Sequence, residues 1–419
     1  MSRRVVITGL GIVAPSGIGK AAFWDGMKEG TSFVSPISKF DASRYSSRIA
    51  GEVRELKIPD SFSKRLLKKL DRFTHLALVA ADMALKDGNV ELADENLNRV
   101  GVFIGNALGG WEYAETELRD LYVEGLDGVS PYQATAWFPA APQGQISIYY
   151  GIKGYSKTVI SDRASSLMAL GYAARTIKKG NADLILAGGT EAPITPYALL
   201  CCNTNGSLSI RNEEASSAYR PFDGTRDGFV IGEGAGIVVL EEMEHALERG
   251  AHIYGEVAGY STNCDGYHRI DFDPEGNQLA EAIKTALHES EVSIGEVDYI
   301  CADGDATENG DRSETRAVKK VFGKEAHKIP ISAPKSMIGN LLGASGAVDL
   351  ITTLLSMEHN CVLPTINYRE EDPECDLDYV PLKSRPQEIN TALIHSRGRG
   401  GINTVLAVQK VHSHKGAFN

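Results

Sequence analysis

The sequence predicts an α/β protein built as two successive mixed halves, residues 1–250 and 251–419. The stretch around residue 160 sets the pattern. Thr158, Val159 and Ile160 form a β-branched run suited to a buried strand. Leu167, Leu170, Ala174 and Ile177 then recur at helical spacing, Gly180-Asn181 punctuates, and residues 182–189 supply a second strand. The same alternation restarts after Gly250-Ala251-His252, which reads as the joint between halves. Composition agrees, since 43 glycines and an apolar fraction of 42% fit an α/β fold with many tight turns.

In chain order, residues 5–14 open as a strand. Gly9-x-Gly11-x-x-Ala14 superficially matches a dinucleotide-binding fingerprint. It is discounted, because Pro15, Gly17 and Gly19 follow at once and no acidic residue ends a second strand at the required distance. Residues 40–51 read as loop. Residues 61–85 read as one helix with Lys64, Arg65, Lys68, Lys69 and Arg72 near its start, either a solvated face or a docking patch for an acidic partner. A strand over 99–105 precedes a helix over about 112–123. Residues 130–151 mix aromatic and small side chains, as a pocket wall, an interface or core packing would. Residues 190–233 lack clear periodicity; a strand over 234–240 and a helix over 241–249 follow. The second half gives strands at 253–259, 297–302, 329–332, 391–396 and 403–409, and helices at 277–290, 311–322 and 343–357. The end, from His412, reads as a frayed tail.

The net charge of −12 argues against non-specific nucleic-acid binding. The six cysteines form no CxxC pair, which argues against a zinc ribbon or a redox motif. The chain runs from Met1 straight into its first strand with no leader and has no apolar run long enough for a bilayer. Reduced cysteines in a cytoplasm are the expectation, with no membrane and no metal.

The turn before residue 165 is chemically suggestive. A residue displayed there, at a helix N-terminus, meets free backbone N–H groups that favour an anionic nucleophile. The residue is Arg163, whose guanidinium is always charged and has no free lone pair. Ser161, Ser165 and Ser166 are alternative nucleophiles nearby, and Ser332-x-x-Lys335 mimics a serine–lysine pair.

Longer stretches carry a family resemblance. VVITGLGIVAP, GYAARTIKKGNADLILAGGTEA, PFDGTRDGFVIGEGAGIVVLE, PKSMIGNLLGASGAVD, LPTINY and CDLDYVP, in this order, resemble the β-ketoacyl synthases along nearly the whole chain. The resemblance implies the thiolase fold, a five-layered α-β-α-β-α internal duplication, usually in a dimer. Active members condense an acyl chain with malonyl on acyl carrier protein, using a cysteine and two histidines. Here the cysteine position holds Arg163. The first histidine, just before Gly-Thr, is Asp303, and the second is Asn340; only Lys335 of the set remains. Thioester transfer needs a thiolate, and the enolate left by decarboxylation needs hydrogen-bond donors. Arg163 and Asp303 supply neither. They are expected to form a buried ion pair that fills the former cavity. Arg397 and Arg399 replace the aromatics of the family's gating loop.

Within the family the pattern resembles the chain length factors, or ketosynthase-β subunits, of type II polyketide synthases, although these commonly carry glutamine where Arg163 stands. The resemblance implies a heterodimer with an active ketosynthase subunit, which would supply Cys-His-His. It also implies a phosphopantetheine-bearing acyl carrier protein as second partner, and no cofactor bound by this chain. Trp111, Ala114, Leu118 and Thr135 match the subgroup's length-setting tunnel positions; Lys68 and Lys69 match a carrier-docking patch. An acyltransferase with an unorthodox nucleophile and a carrier-recruiting scaffold are the alternatives.

Overall fold

The computed structural model describes residues 3–204 and 206–411, so the expected tail from His412 lies outside the described residues. One mixed sheet runs through the molecule. Its strands are β1 (Val5–Ala14), β2 (Val100–Gly105), β3 (Ser156–Val159), β4 (Leu184–Glu191), β5 (Gly234–Glu242), β6 (Gly255–Cys264), β7 (Tyr299–Cys301), β8 (Ile331–Ser332), β9 (Thr391–Gly398) and β10 (Ile402–Gln409). The order is β8-β7-β9-β10-β6-β1-β5-β4-β2-β3, with a short strand at Gly17–Ile18 beside β1. The duplication is visible in the connectivity. β1, β5, β4, β2 and β3 repeat as β6, β10, β9, β7 and β8, with the same parallel and antiparallel pairings. The two sets meet where Val6 and Ile7 pair with Glu256 and Gly255.

The helices are α1 (Lys20–Lys28), α2 (Lys64–Leu67), α3 (Arg72–Asp87), α4 (Trp111–Glu124), α5 (Gln133–Trp137), α6 (Ala141–Tyr150), α7 (Ser165–Lys178), α8 (Pro196–Asn203), α9 (Asn277–Glu289), α10 (Glu308–Phe322) and α11 (Ser345–His359); the short helices Ala215–Ala218 and Met243–Glu248 and the 3-10 turns are left unlabelled. Three apolar clusters divide the layers. α3 and α6 cover the outer face of the first strand set, and α9 and α10 cover that of the second. α7 and α11 lie between the sets, in a cluster that includes Leu167, Leu170, Leu350 and Leu354. This is the five-layered α-β-α-β-α arrangement. Both middle helices are buried along most of their length, which suits their near-continuous apolar sequence.

The glycines of the opening strand have a packing role. A Cβ on Gly11 would lie 1.8 Å from the carbonyl oxygen of Ala80, and one on Gly9 2.2 Å from that of Ala84. They let α3 lie directly on β1, and β1 continues unbroken through Ala14, so no nucleotide turn forms there.

Several local expectations are corrected. The helix expected over 61–85 is two helices, because Asp71 ends the basic turn and caps α3 through the Phe73 N–H. The strand expected to be buried at 158–160 is Ser156–Val159, the sheet's terminal strand; Val159 is buried, while Ile160, just past its end, is 58% exposed. Residues 190–233 contain α8, opened by Thr195 as N-cap and Pro196 in the first turn. α1 is a further helix. Among the described residues no helix is long and apolar enough to cross a membrane, and no group of three or more His, Cys, Asp or Glu could hold a metal ion.

Candidate functional site

The turn between β3 and α7 is built to display one residue. Asp162 adopts a left-handed conformation, φ 50°, which aspartate tolerates better than most side chains. Ser165 ties the turn, its Oγ accepting from the Ser161 N–H at 2.8 Å and donating to the Asp162 carbonyl at 2.6 Å. The Asp162 carboxylate accepts the Arg399 N–H at 2.8 Å, and the Ser396 hydroxyl donates to the Arg163 carbonyl at 3.1 Å. Gly105 allows α7 this close, since a Cβ there would sit 2.4 Å from the Ser165–Ser166 peptide. α7 begins at Ser165 with Ala164 as its N-cap residue, so Arg163 stands just ahead of the helix.

Arg163 is buried, and its partner differs from the expected one. Its Nη1 and Nη2 each donate to Asp305 Oδ2 at 3.4 Å, with Asp162 Oδ2 3.6 Å from Nε. Asp305 occupies the threonine position of the family's His-Gly-Thr. Its other oxygen accepts from the Thr307 N–H and hydroxyl at 2.9 and 2.7 Å. Asp303 instead lies by Lys335, Nζ to Oδ1 3.7 Å, and accepts the Arg397 N–H at 3.2 Å. The strand ends at Cys301 and Gly304 takes a left-handed φ of 49°, so residues 303 and 305 do not share one face as they would in a continuing strand, and each meets a different neighbour. Asp303 still acts on Arg163 through space. Burial alone would lower the Arg163 pKa, but Asp303, Asp305 and Asp162 together hold it above the usual value. Phe229 and Phe272 lie 5.3 and 5.6 Å from the guanidinium. The space left beside Arg163, Phe272 and Asp305 is about 30 Å³, room for about one water and none for an acyl chain.

The other expected positions complete a buried network. Lys335 Nζ donates to the Asp303 carbonyl and pairs with Asp349, both at 2.9 Å. Burial pushes the Asp349 carboxyl up to about 6 against the pull of Lys335. The Asn340 oxygen accepts from the Leu342 N–H and the Ser345 hydroxyl at 2.9 and 3.0 Å, leaving its amide nitrogen without a protein partner. Arg397 is also buried. It donates to the Gly310 carbonyl, Ser313 Oγ and Asn403 Oδ1, each at 3.1 Å, with the Phe272 ring 3.7 Å away.

Glu314 and His395 were not singled out from the sequence. Glu314 Oε1 is 2.9 Å from His395 Nδ1, and the carboxylate accepts the Asp303 and Gly304 N–H groups at 2.9 Å each. Burial opposes its charge, but His395, the Gly304 N–H and Arg397 hold it down at about 2. The signal was a histidine inside the otherwise apolar closing strand Thr391–Gly398.

Three of the four alternative serines have their hydroxyls engaged elsewhere. Ser165 is spent on the turn, Ser166 Oγ accepts the Ala347 N–H at 3.0 Å, and Ser332 Oγ bonds the Tyr299 hydroxyl at 2.8 Å while Lys335 turns to Asp303 and Asp349. The larger clefts, about 770 Å³ beside Pro15 and Phe33 and about 640 Å³ beside Arg72 and Glu112, do not reach Arg163.

Away from this plug, Trp111, Ala114 and Leu118 lie on α4 and Thr135 on α5. Ala114 is buried; Leu118 and Thr135 are exposed. Trp111 packs against Tyr197 and Trp137, ring centroids 4.7 and 6.4 Å away. Nearby in the chain, Tyr122, Val123, Leu126, Phe138, Ile148 and Ile160 are exposed apolar side chains. Lys64, Arg65 and Lys68 are exposed on and beside α2. Lys69 caps the Tyr132 ring at 4.4 Å, whereas Arg72 turns inward to Glu233 at 2.8 and 2.9 Å and leaves the basic patch.

Known proteins match this chain over nearly its whole length. Residues 2–246 match the β-ketoacyl synthase N-terminal domain and residues 254–369 its C-terminal domain. A 3-oxoacyl-[acyl-carrier-protein] synthase 2 of Synechocystis is 40% identical over 97% of this chain and 98% of its own. A type II polyketide synthase structure, an acyl-carrier protein in complex with its ketosynthase bound to the hexaketide, matches with TM-score 0.91 at 36% identity, over 98% of this chain and 100% of that one. The ishigamide ketosynthase/chain length factor matches with TM-score 0.92 at 30% identity, with the same coverage.

Proposed function

The chain belongs to the β-ketoacyl synthase family, and from that premise we propose that it is a chain length factor subunit of a type II polyketide or polyene synthase. It condenses nothing itself. It pairs with an active ketosynthase subunit, walls off part of the tunnel that holds the growing chain, and sets product length while that partner elongates malonyl units on acyl carrier protein. The observation that carries this reading is the occupied nucleophile position: Arg163 is buried against Asp305 with about 30 Å³ beside it. A guanidinium cannot form a thioester, and the site has no room to accept one. The exposed apolar side chains between residues 118 and 160 support a partner of matching apolar character. The solved ketosynthase/chain length factor and the ketosynthase bound to its carrier protein supply the precedent for both partners. Lys64, Arg65, Lys68 and Lys69 are a docking patch for the acidic carrier, whose phosphopantetheine arm serves the partner's site.

The test is reconstitution with a homologous subunit that retains cysteine and both histidines. With malonyl-loaded carrier protein, the pair is expected to elongate and this chain alone to give no product. Sustained condensation by this chain alone would overturn the reading.

A further inference from the structure

α4 carries three of the four length-setting positions, yet it is weakly anchored. Of its 14 residues only Ala114 is buried, and its N-cap residue, Gly110, has no side chain with which to cap it. The first-turn N–H of Tyr113 is taken instead by Asp71 Oδ2 at 2.7 Å, from 42 residues earlier in the chain. The second oxygen of the same carboxylate accepts the Phe73 N–H at 3.0 Å and caps α3. One buried side chain therefore closes the start of two helices.

Gly110 makes the approach possible. A Cβ there would lie 2.8 Å from the Asp71 Cβ and 2.5 Å from the carbonyl oxygen of Ala136, the neighbour of Thr135 on α5. Other ties of the first turn are to surface side chains or loops, the Tyr113 hydroxyl donating to Ser130 Oγ at 2.8 Å and Glu112 standing 3.7 Å from Lys39, and further ties follow along the helix. Glu115 accepts from the Thr195 hydroxyl and the Tyr197 N–H, and Glu117 accepts the Ser130 N–H. The Trp111 ring rests on Tyr197 and Trp137, while among these first-turn ties the Asp71 carboxylate is the buried side chain that holds the helix backbone.

We propose that Asp71 is the positioning residue of the length-setting helix, fixing where Trp111, Ala114 and Leu118 stand in the tunnel wall. This rests on the chain length factor reading above. α3 packs on β1 in a buried apolar cluster, so Asp71 references α4 to the close-packed core.

Asp71→Ser tests it. Serine still caps α3, but its shorter side chain cannot also reach the Tyr113 N–H. In the reconstituted pair, hydrogen exchange over residues 111–124 is expected to rise about tenfold, with exchange over 72–87 unchanged. The product distribution should broaden while the condensation rate holds. Unchanged exchange and unchanged lengths would overturn the inference. If Asp71→Ser does not fold, Gly110→Ala decides: its Cβ would press on Asp71 and on the Ala136 carbonyl and should loosen α4 in the same way, and unaltered exchange over 111–124 with unaltered lengths there overturns the inference equally. Trp111→Ala separates the two readings. If it alters length while the Asp71 and Gly110 variants do not, only the positioning role fails. If it leaves length alone, the chain length reading fails, and exchange still judges whether Asp71 holds α4.

Discussion

Arg163 gives up hydration and gains long contacts, two at 3.4 Å to a single Asp305 oxygen. Such a pair is weak as a source of stability but costly to break, because removing one member strands the other in a dry interior. Arg163→Cys would restore the family's nucleophile and leave Asp305 and Asp303 without their nearest guanidinium. It is expected to lower unfolding free energy by about 3–5 kcal/mol, measured by urea titration, and to take no label from acyl carrier protein. Adding Asp305→Thr should recover part of the lost stability. Glu314 behaves differently. Its carboxyl is held at about 2 in the folded protein, below the ordinary value near 4.5. Its stabilisation is therefore present above about pH 4.5 and drains away as pH falls toward 2. Asp349, raised to about 6, and Asp71, raised by burial to about 7, run the other way: their contributions are present at acid pH and lost as pH rises through those values. The decisive measurement is the difference between the pH–stability curves of wild type and Glu314→Gln, which should narrow between pH 4.5 and 2.

The basic turn at α2 makes a prediction for an element. With Arg72 committed to Glu233, the surface cations that remain are Lys64, Arg65, Lys68 and the partly covered Lys69. Lys68→Glu with Lys69→Glu is expected to weaken carrier-protein binding about tenfold at low salt, and less at high salt, by titration calorimetry. Elements with one strong period were legible from the sequence: 99–105 is the strand Val100–Gly105, and 112–123 is the helix Trp111–Glu124. Others were not, for physical reasons. α8 is apolar on every side and has no stripe to detect, although Thr195-Pro196 announces its start. Asp71 announced a helix start too, but continuous helix formers on either side hid the break. β-branched residues favour edge and central strands alike, so 158–160 could not reveal which it was. At the site, sequence placed Arg163, Asp303 and Lys335 in one neighbourhood. It could not say which aspartate faces Arg163, since that depends on how the chain turns after β7.

The whole molecule is one design used twice, with every strand of the first set answered by one five places later. The equivalence extends to the two ends of the sheet, where β3 and β8 are counterparts with different surroundings. Ser332 on β8 is buried, while Lys157 and Ile160 at β3 are exposed. The half that carries β3 also carries α4, α5 and the uncovered aromatic side chains Tyr122, Trp137 and Phe138. Symmetry of the backbone therefore coexists with strong asymmetry of the surface.

That uncovered flank has a cost during synthesis. A strand whose outer backbone groups are unbonded, set among greasy neighbours, will pair with whatever arrives first. Under the pairing proposed above, a surplus of this polypeptide over its companion should clump rather than persist as spare subunits, so the two should be translated in step.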